Sequence, residues 1–266
     1  MPFGIGSGVR RGGVASDLAA GSDDERPVRG DPSPEPGPGE VELPFSARTW
    51  LGPGGTTLAE IDRVFVQVFA LVGEAIAGAT HALLAGDREA AKLLVQRDET
   101  IDALIHQIAD LAQGELVNGE TTAEERRELV AVLRMLPDLE RNGDLAEHIA
   151  RRAARGLGAE MSARSRGLVE RMGEVATTIW RSTADAFSER SVTGAIYVDD
   201  LDDELDDLHV TLTAELVAGT MSLPVAIELA MVARFYERFG DHAVNLARRM
   251  AALVGGGPEP GTSGAD

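Results

Sequence analysis

The sequence contains no cysteine in its 266 residues. Disulfide scaffolds, zinc–thiolate sites, iron–sulfur clusters and thiol nucleophiles are therefore all excluded. Any metal ion that this chain binds must be held by oxygen atoms or by imidazole nitrogen.

Aromatic residues and long hydrophobic runs are also scarce. Only 4% of the residues are aromatic, although 44% are hydrophobic. The abundant residues are Ala, Leu, Val, Glu and Arg, a mixture that favours helices over a β-sandwich or barrel. No segment reaches eighteen uninterrupted apolar residues, and the N-terminus lacks the apolar stretch of a secretory signal. We therefore expect an all-α, cytoplasmic protein that does not insert into a membrane.

Basic residues are outnumbered by acidic ones, 25 against 44, which gives a formal net charge of −19. Nucleic-acid backbones are bound through clustered Lys and Arg, so this balance argues against a nucleic-acid partner. Cations or a basic protein surface fit the charge better.

The sequence predicts disordered ends and a helical centre. Residues 1–56 are crowded with Gly, Pro and Ser, and residues 254–266 resemble them, so both segments are expected to be disordered. Helical spacing of apolar residues, with capping and breaking residues between the segments, predicts six helices. They span about 57–85, 87–113, 121–156, 159–189, 191–218 and 222–253. Long helices joined by short loops pack as antiparallel neighbours, which predicts two tandem three-helix bundles, 57–157 and 158–253.

The third helix of each predicted bundle carries a repeated segment. ERNGDLAEHIARRA at 140–153 and ERFGDHAVNLARRM at 237–250 are identical at eight of fourteen positions, which indicates internal duplication. Gly143 and Gly240 lie in mid-helix, where glycine costs about 1 kcal/mol relative to alanine. We interpret them as sites of close approach by a neighbouring backbone, although a simple small-residue crossing point would give the same pattern.

Paired carboxylates accompany both repeats. The third helices carry Glu and Asp four residues apart, and the second helices carry Asp pairs at the same spacing, so each pair lies on one helix face. Four carboxylates on facing helices repel unless cations or protons neutralise them. The predicted metal ligands are Asp98, Asp102, Glu140 and Asp144 in the first bundle, and Asp202, Asp206, Glu237 and Asp241 in the second. Oxygen ligands of this kind suit divalent or ferric ions, with Mg²⁺, Mn²⁺, Ca²⁺ and iron as candidates and Zn²⁺ also open.

Two other features leave alternatives open. Most residues from Asp199 to Asp207 are acidic. A second register, Asp199–Asp203–Asp207, therefore has the same four-residue spacing as Asp202 and Asp206. A solvated acidic face is a further interpretation of this run. His148 follows Asp144 by four residues and could extend the ligand face, but its counterpart in the second repeat is Asn245. A histidine at a surface or a helix seam is the simpler interpretation.

The segments E-R-N-G-D-L-A and E-R-F-G-D-H-A resemble the PhoU family, whose repeats carry E-R-x-G-D-x-A on the third helix and acid-x-x-x-Asp on the second. The resemblance covers about residues 58–253. It implies two three-helix bundles that bind multinuclear metal clusters, with the eight carboxylates as ligands. It also implies a negative regulator of phosphate-starvation signalling that contacts a sensor histidine kinase and the phosphate ABC transporter ATPase. We further expect a homodimer.

The sequence departs from the family pattern in the first repeat. Asn142 stands where the family has an apolar residue, and Pro137 lies one turn before Glu140, where it removes a backbone hydrogen bond and predicts a kink. We therefore expect the first metal site to be weaker than the second.

Two rival functions remain from the residues alone. One is a carboxylate-bridged metalloenzyme, against which the lack of any E-x-x-H motif argues, because di-iron bundle enzymes use that motif. The other is a structural bundle whose acids are only solvated. The absence of a Gly-rich phosphate loop or a nucleophile elbow favours a non-enzymatic role.

Overall fold

The computed structural model describes residues 56–189, 193–219 and 221–255, and these residues form six α-helices and no strand. The helices are α1 (Thr56–Ala85), α2 (Arg88–Asn118), α3 (Ala123–Ala154), α4 (Ala163–Glu189), α5 (Thr193–Ala218) and α6 (Leu223–Gly255). The all-α prediction is confirmed. The predicted disordered segments lie outside the described residues, apart from Thr56 in α1 and the last residues of α6.

Capping side chains set several helix boundaries where the sequence predicts them. The Asp87 side chain accepts a hydrogen bond from the Ala90 N–H at the start of α2. Thr122 and Glu125 form a reciprocal capping box at the start of α3. Gly86 follows α1 with φ +69°, a left-handed conformation that glycine adopts without steric penalty.

Two boundaries differ from the prediction. The second helix was expected to end near residue 113, but α2 continues through Gly114 to Asn118. One glycine weakens a helix by only about 1 kcal/mol, which the rest of a long helix can outweigh. The fourth helix begins at Ala163, later than expected, because a 3₁₀ turn at Leu157–Glu160 comes first. Pro137 lies inside α3, which continues past it to Ala154.

The helices pack as two three-helix bundles, α1–α2–α3 and α4–α5–α6, joined through contacts of α3 with α6 and of α1 with α4. Buried hydrophobic side chains from all six helices form one continuous core. The α1–α4 contact is close, because a Cβ on Gly173 would collide with Thr80. Thr80 also shares a 2.7 Å hydrogen bond with the Tyr236 hydroxyl on α6, so a buried polar contact ties the bundles together.

Helix α1 is apolar enough to be mistaken for a membrane span. Residues Thr57–Ala85 have a mean hydropathy of 1.6 in their most apolar window, and by length and composition alone this helix could cross a membrane. In the structure its apolar face, including Ile61, Phe65 and Val68, is buried in the shared core. A core helix of a globular bundle has the same composition.

The seam between α3 and α6 contains polar side chains at positions that the internal repeat relates to each other. Asp138 on α3 pairs with Arg249 on α6 at 3.4 Å. Through the repeat, Asp138 corresponds to Phe235 and Arg249 corresponds to Arg152, and the Arg152 guanidinium lies 4.6 Å from the Phe235 ring centre. The same pair of positions therefore makes an ion pair on one side of the seam and a cation–π contact on the other.

The two repeated glycines lie where the second and third helices of each bundle meet. A Cβ on Gly143 would lie 3.3 Å from Ile101 and 3.4 Å from the Asp98 Oδ1 atom. A Cβ on Gly240 would lie 2.9 Å from Leu205 and would collide with Asp202 Oδ1. The predicted close approach is present in both repeats, but the neighbouring side chains, not the backbone, occupy the space.

These contacts predict that Gly240→Ala destabilises the protein more than Gly143→Ala. Alanine gains about 1 kcal/mol of helix propensity at either position. At Gly240 the new methyl group must displace Asp202 and Leu205, and overpacking of this kind costs about 1–3 kcal/mol. Urea denaturation of both variants measures the difference. A Gly240→Ala variant as stable as Gly143→Ala would contradict the packing described here.

Candidate functional site

The predicted carboxylates come together in pairs of facing helices. In the first bundle, α2 presents Asp98 and Asp102 to the face of α3 that carries Glu140 and Asp144, and Gly143 marks the contact. The second bundle repeats the arrangement with α5 and α6 around Gly240. Asp98 and Asp202 occupy the same position against the repeated glycines, as expected if the two aspartate pairs are equivalent.

Asp202 is the most constrained acid of the second bundle. Its pKa is raised to about 7, mainly by burial and also by the negative charges of Asp241 and Asp206. Its Oδ1 atom is buried and accepts no hydrogen bond among the described residues, and the same is true of Glu237 Oε2. An acceptor withdrawn from water without a donor is a position that a cation or a proton would stabilise.

The other acids of the second bundle act on one another. Burial raises the pKa values of Asp206 and Glu237, and the Asp241 charge adds to both effects. Arg234 partly opposes them, since it forms an ion pair with Glu237, and Arg238 lies 3.9 Å from Asp241. The four predicted ligands therefore form one electrostatically coupled group with incomplete countercharge.

The first bundle shows the same coupling. The pKa of Asp98 is raised to about 7, mainly by burial and also by the charges of Glu147, Asp102 and Asp144. Burial also raises the pKa of Asp144, with contributions from Asp102 and Glu140. Glu140 itself is exposed, and the other three predicted residues of this bundle are partly buried.

Sequence reasoning missed one acid and one repeated arginine. Glu147 is only 9% exposed, and together with Asp98 and Gly143 it lines a cavity of about 110 Å³. Glu147 lies three residues after Asp144 and therefore on the same face of α3 as the predicted ligands. This spacing could have identified Glu147 from the sequence. Arg151 and Arg248, the first arginine of each repeated pair, lower the pKa values of Asp98 and Asp202 by their charge. The second arginine of each pair lies at the α3–α6 seam.

Asp202 is the acid of the α5 run that packs against the repeated glycine. It is partly buried against Gly240, whereas Asp203, Asp206 and Asp207 are exposed. Asp199 pairs with Arg248 at 2.9 Å. The alternative register, Asp199–Asp203–Asp207, is therefore the more solvated of the two.

His148 lies at the seam between the bundles. Its Nδ1 atom is 2.6 Å from the Asp144 carbonyl oxygen, and its ring packs against Phe235 on α6 with 5.2 Å between ring centres. This placement agrees with the simpler interpretation of a seam histidine.

The side chains as placed do not form a finished metal site. Among the described residues, no three His, Asp or Glu side chains stand close enough together to hold an ion. What the structure brings together is four acceptor groups per bundle on neighbouring turns of two helices. Rotation about side-chain torsions is needed to point their oxygens at a common centre.

The raised pKa values predict how the metal-free protein responds to pH. Asp202 has a pKa near 7 when folded and 3.8 in its reference state, so the folded protein binds more protons between these values. Its contribution to stability is present at low pH and is lost as pH rises through about 7. We expect Asp202→Asn, measured by urea denaturation with chelator, to gain stability over wild type as pH rises from 4 to 7.

Asp203→Asn provides the matched control, since Asp203 is exposed on the same helix and should not change the pH dependence. Parallel stability curves for wild type and Asp202→Asn would refute the burial of this carboxylate.

The sequence also matches known proteins. The family model described as "PhoU domain" matches residues 65–153 and 169–250, one match for each bundle. The protein named "Phosphate-specific transport system accessory protein PhoU homolog 1" of Mycobacterium tuberculosis is 32% identical over 202 residues, which cover 75% of this chain and 91% of the relative. The PhoU homolog 2 of the same species is 30% identical over 200 residues, 73% of this chain and 92% of the relative.

Solved structures agree with these sequence matches. The crystal structure of PhoU from Pseudomonas aeruginosa superposes with a TM-score of 0.70 at 27% identity, covering 75% of this chain and 98% of that protein. The phosphate transport system regulatory protein PhoU from Streptococcus pneumoniae, at 22% identity and a TM-score of 0.66, shares the fold over 74% of this chain and 94% of its own. The two domain matches, the relatives that align over nearly their whole length and the shared fold lead to one conclusion: this chain belongs to the PhoU family.

Proposed function

We propose that this protein is a cytoplasmic, non-catalytic regulator of phosphate uptake that represses the phosphate-starvation response. The observation that carries the proposal is the tandem PhoU domain, which its relatives share under the name of phosphate-specific transport system accessory proteins. In this role the protein contacts a sensor histidine kinase and the ATPase of a phosphate ABC transporter, and it acts as a homodimer. A surface with net charge −19 suits basic protein partners.

We also propose that each bundle binds divalent or ferric ions through its coupled carboxylates. Asp98, Asp102, Glu140 and Asp144 would serve the first bundle, with Glu147 close by, and Asp202, Asp206, Glu237 and Asp241 would serve the second. The buried acceptors of Asp202 and Glu237, which lack donors among the described residues, support this assignment. So does the donor set, since clustered carboxylate oxygens are the ligands that hard cations prefer. A bound cation would neutralise the group and stabilise the folded bundle by mass action.

The second site is proposed as the stronger one. Asp202 and Glu237 each have a buried oxygen atom without a hydrogen-bond donor among the described residues, although the other oxygen of Glu237 pairs with Arg234. The predicted ligands of the first bundle have no such atom among the described residues, and Glu140 is exposed. A buried acceptor without a donor gains more from a metal ion than an exposed carboxylate does. Pro137 and Asn142 also led us to expect a weaker first site, but the reason proposed here is electrostatic.

The regulatory proposal predicts that deletion of the gene derepresses phosphate-starvation genes in phosphate-rich medium. Wild type should restore repression, and a Glu237→Gln, Asp241→Asn double variant should restore it poorly, because the nearly isosteric side chains keep the fold but remove two charges of the second site. Transcript levels of a starvation-induced phosphate transporter gene measure the outcome.

The matched control is Asp185→Asn with Glu189→Gln, which removes the same charge from two exposed positions that lie four residues apart on α4. It should complement fully. Normal repression in the deletion strain would refute the regulatory role. Equal complementation by both double variants would refute a role for the second site in regulation while leaving the regulatory role intact.

A further inference from the structure

Five of the exposed large apolar side chains on the α5–α6 hairpin lie towards its linked end. Their exposed fractions run from 40% to 84%. We call this set the α5–α6 apolar patch, and its members are Val210, Val217, Leu223, Ile227 and Met231.

Helix geometry places these residues along one side of the hairpin. Leu223, Ile227 and Met231 are spaced four residues apart and form a stripe along the first turns of α6. Val210 and Val217 are seven residues apart, on one face of the last turns of α5. The two helices pack against each other and are joined by the short link 219–222, so the end of α5 and the start of α6 are neighbours.

The fold does not require an apolar surface at this place. In the first bundle, the positions equivalent to Val210 and Val217 are His106 and Gln113, and those equivalent to Leu223 and Met231 are Arg126 and Arg134. Only the equivalent of Ile227, which is Val130, is apolar. The duplicated bundle therefore folds with polar residues at four of the five positions, and the second repeat exposes hydrophobic side chains that its own packing does not use. Exposed apolar groups concentrated on one surface mark an interaction site.

The charge beside the patch indicates what kind of partner covers it. Asp207 and Asp206 lie three and four residues before Val210, respectively, and are therefore its neighbours on the surface of α5. Both side chains are exposed, as is Asp203 one turn earlier, and none of the three forms an ion pair among the described residues. A second copy of this chain, related by a two-fold axis, would bring this acidic surface towards its own equivalent. A partner with basic side chains beside an apolar stripe complements both features.

We propose that the α5–α6 apolar patch is the docking surface for a basic amphipathic helix of a protein partner. The apolar stripe of that helix packs on Leu223, Ile227 and Val217, and its Arg or Lys side chains face Asp203 and Asp207. This inference rests on the proposed regulatory function, since it names the chemistry of the partner segment that the regulator contacts. It also assigns the contact to the second bundle alone.

The test uses the full-length protein and two labelled helical peptides that carry the same stripe of leucines. One peptide has arginines beside the stripe and the other has glutamates. Fluorescence anisotropy should show binding of the arginine peptide, weakened by added salt, and much weaker binding of the glutamate peptide. Ile227→Glu should reduce affinity for the arginine peptide by at least about tenfold, as expected for a residue at the centre of an interface.

Val130→Glu is the matched control, because it places the same charge at the equivalent exposed position of the first bundle, and it should leave binding unchanged. Leu223→Glu provides a second exposed position, and unchanged thermal unfolding shows that each variant is folded. Equal binding of the two peptides, or equal losses in Ile227→Glu and Val130→Glu, would overturn the proposal. Light scattering that shows a dimer dissociated by Ile227→Glu would also overturn it, since a second copy would then cover the patch.

The same variants in cells separate this inference from the regulatory proposal. Ile227→Glu should derepress phosphate-starvation genes in phosphate-rich medium and Val130→Glu should not. If gene deletion derepresses but Ile227→Glu represses normally, the docking surface is wrong and the regulatory function stands. If deletion changes nothing while arginine-peptide binding still depends on Ile227, the regulatory function fails and the docking surface stands.

Discussion

The close approach of the second and third helices in each bundle is the constraint on which the site depends. It is possible because Gly143 and Gly240 have no side chains, and it holds Asp98 and Asp202 against the neighbouring helix. Burial there, together with the charges of neighbouring acids, raises the pKa of each aspartate to about 7. The same contact thus fixes the geometry of the bundle and creates a group of acids whose ionised form is costly without a cation.

Duplication gave the two bundles the same framework, and their surfaces then diverged. Both keep the glycine, the paired acids and an arginine that faces the site. The first bundle adds Glu147, paired with Arg151, whereas the second leaves buried oxygens of Asp202 and Glu237 without donors among the described residues. The seam between the bundles also diverged, with an Asp–Arg pair on one side and a Phe–Arg contact on the other. In a protein with two tandem repeats, equivalent faces of the two bundles can therefore have different functions.

Much of the fold could be predicted from the sequence because its signals are local. Caps at Asp87 and Thr122, the apolar spacing and the repeated E-R-x-G-D segment indicate helices, bundles and equivalent acids. Local signals failed at Gly114, where the cost of one glycine is smaller than the stability of a long helix. They also could not assign Arg248 to the site and Arg249 to the seam, because two adjacent arginines differ only in the direction that tertiary packing gives them.

The carboxylates of the second bundle are proposed to bind metal ions. Elemental analysis of protein purified without chelator tests this most directly, with wild type compared with Glu237→Gln, Asp241→Asn and with the exposed-acid control Asp203→Asn, Asp207→Asn. Wild type and the control should contain stoichiometric metal, whereas the Glu237→Gln, Asp241→Asn variant should lose most of its metal and should no longer melt at a higher temperature when metal is added. Full metal content in that variant, or none in wild type, would contradict the assignment and leave these acids as a solvated face.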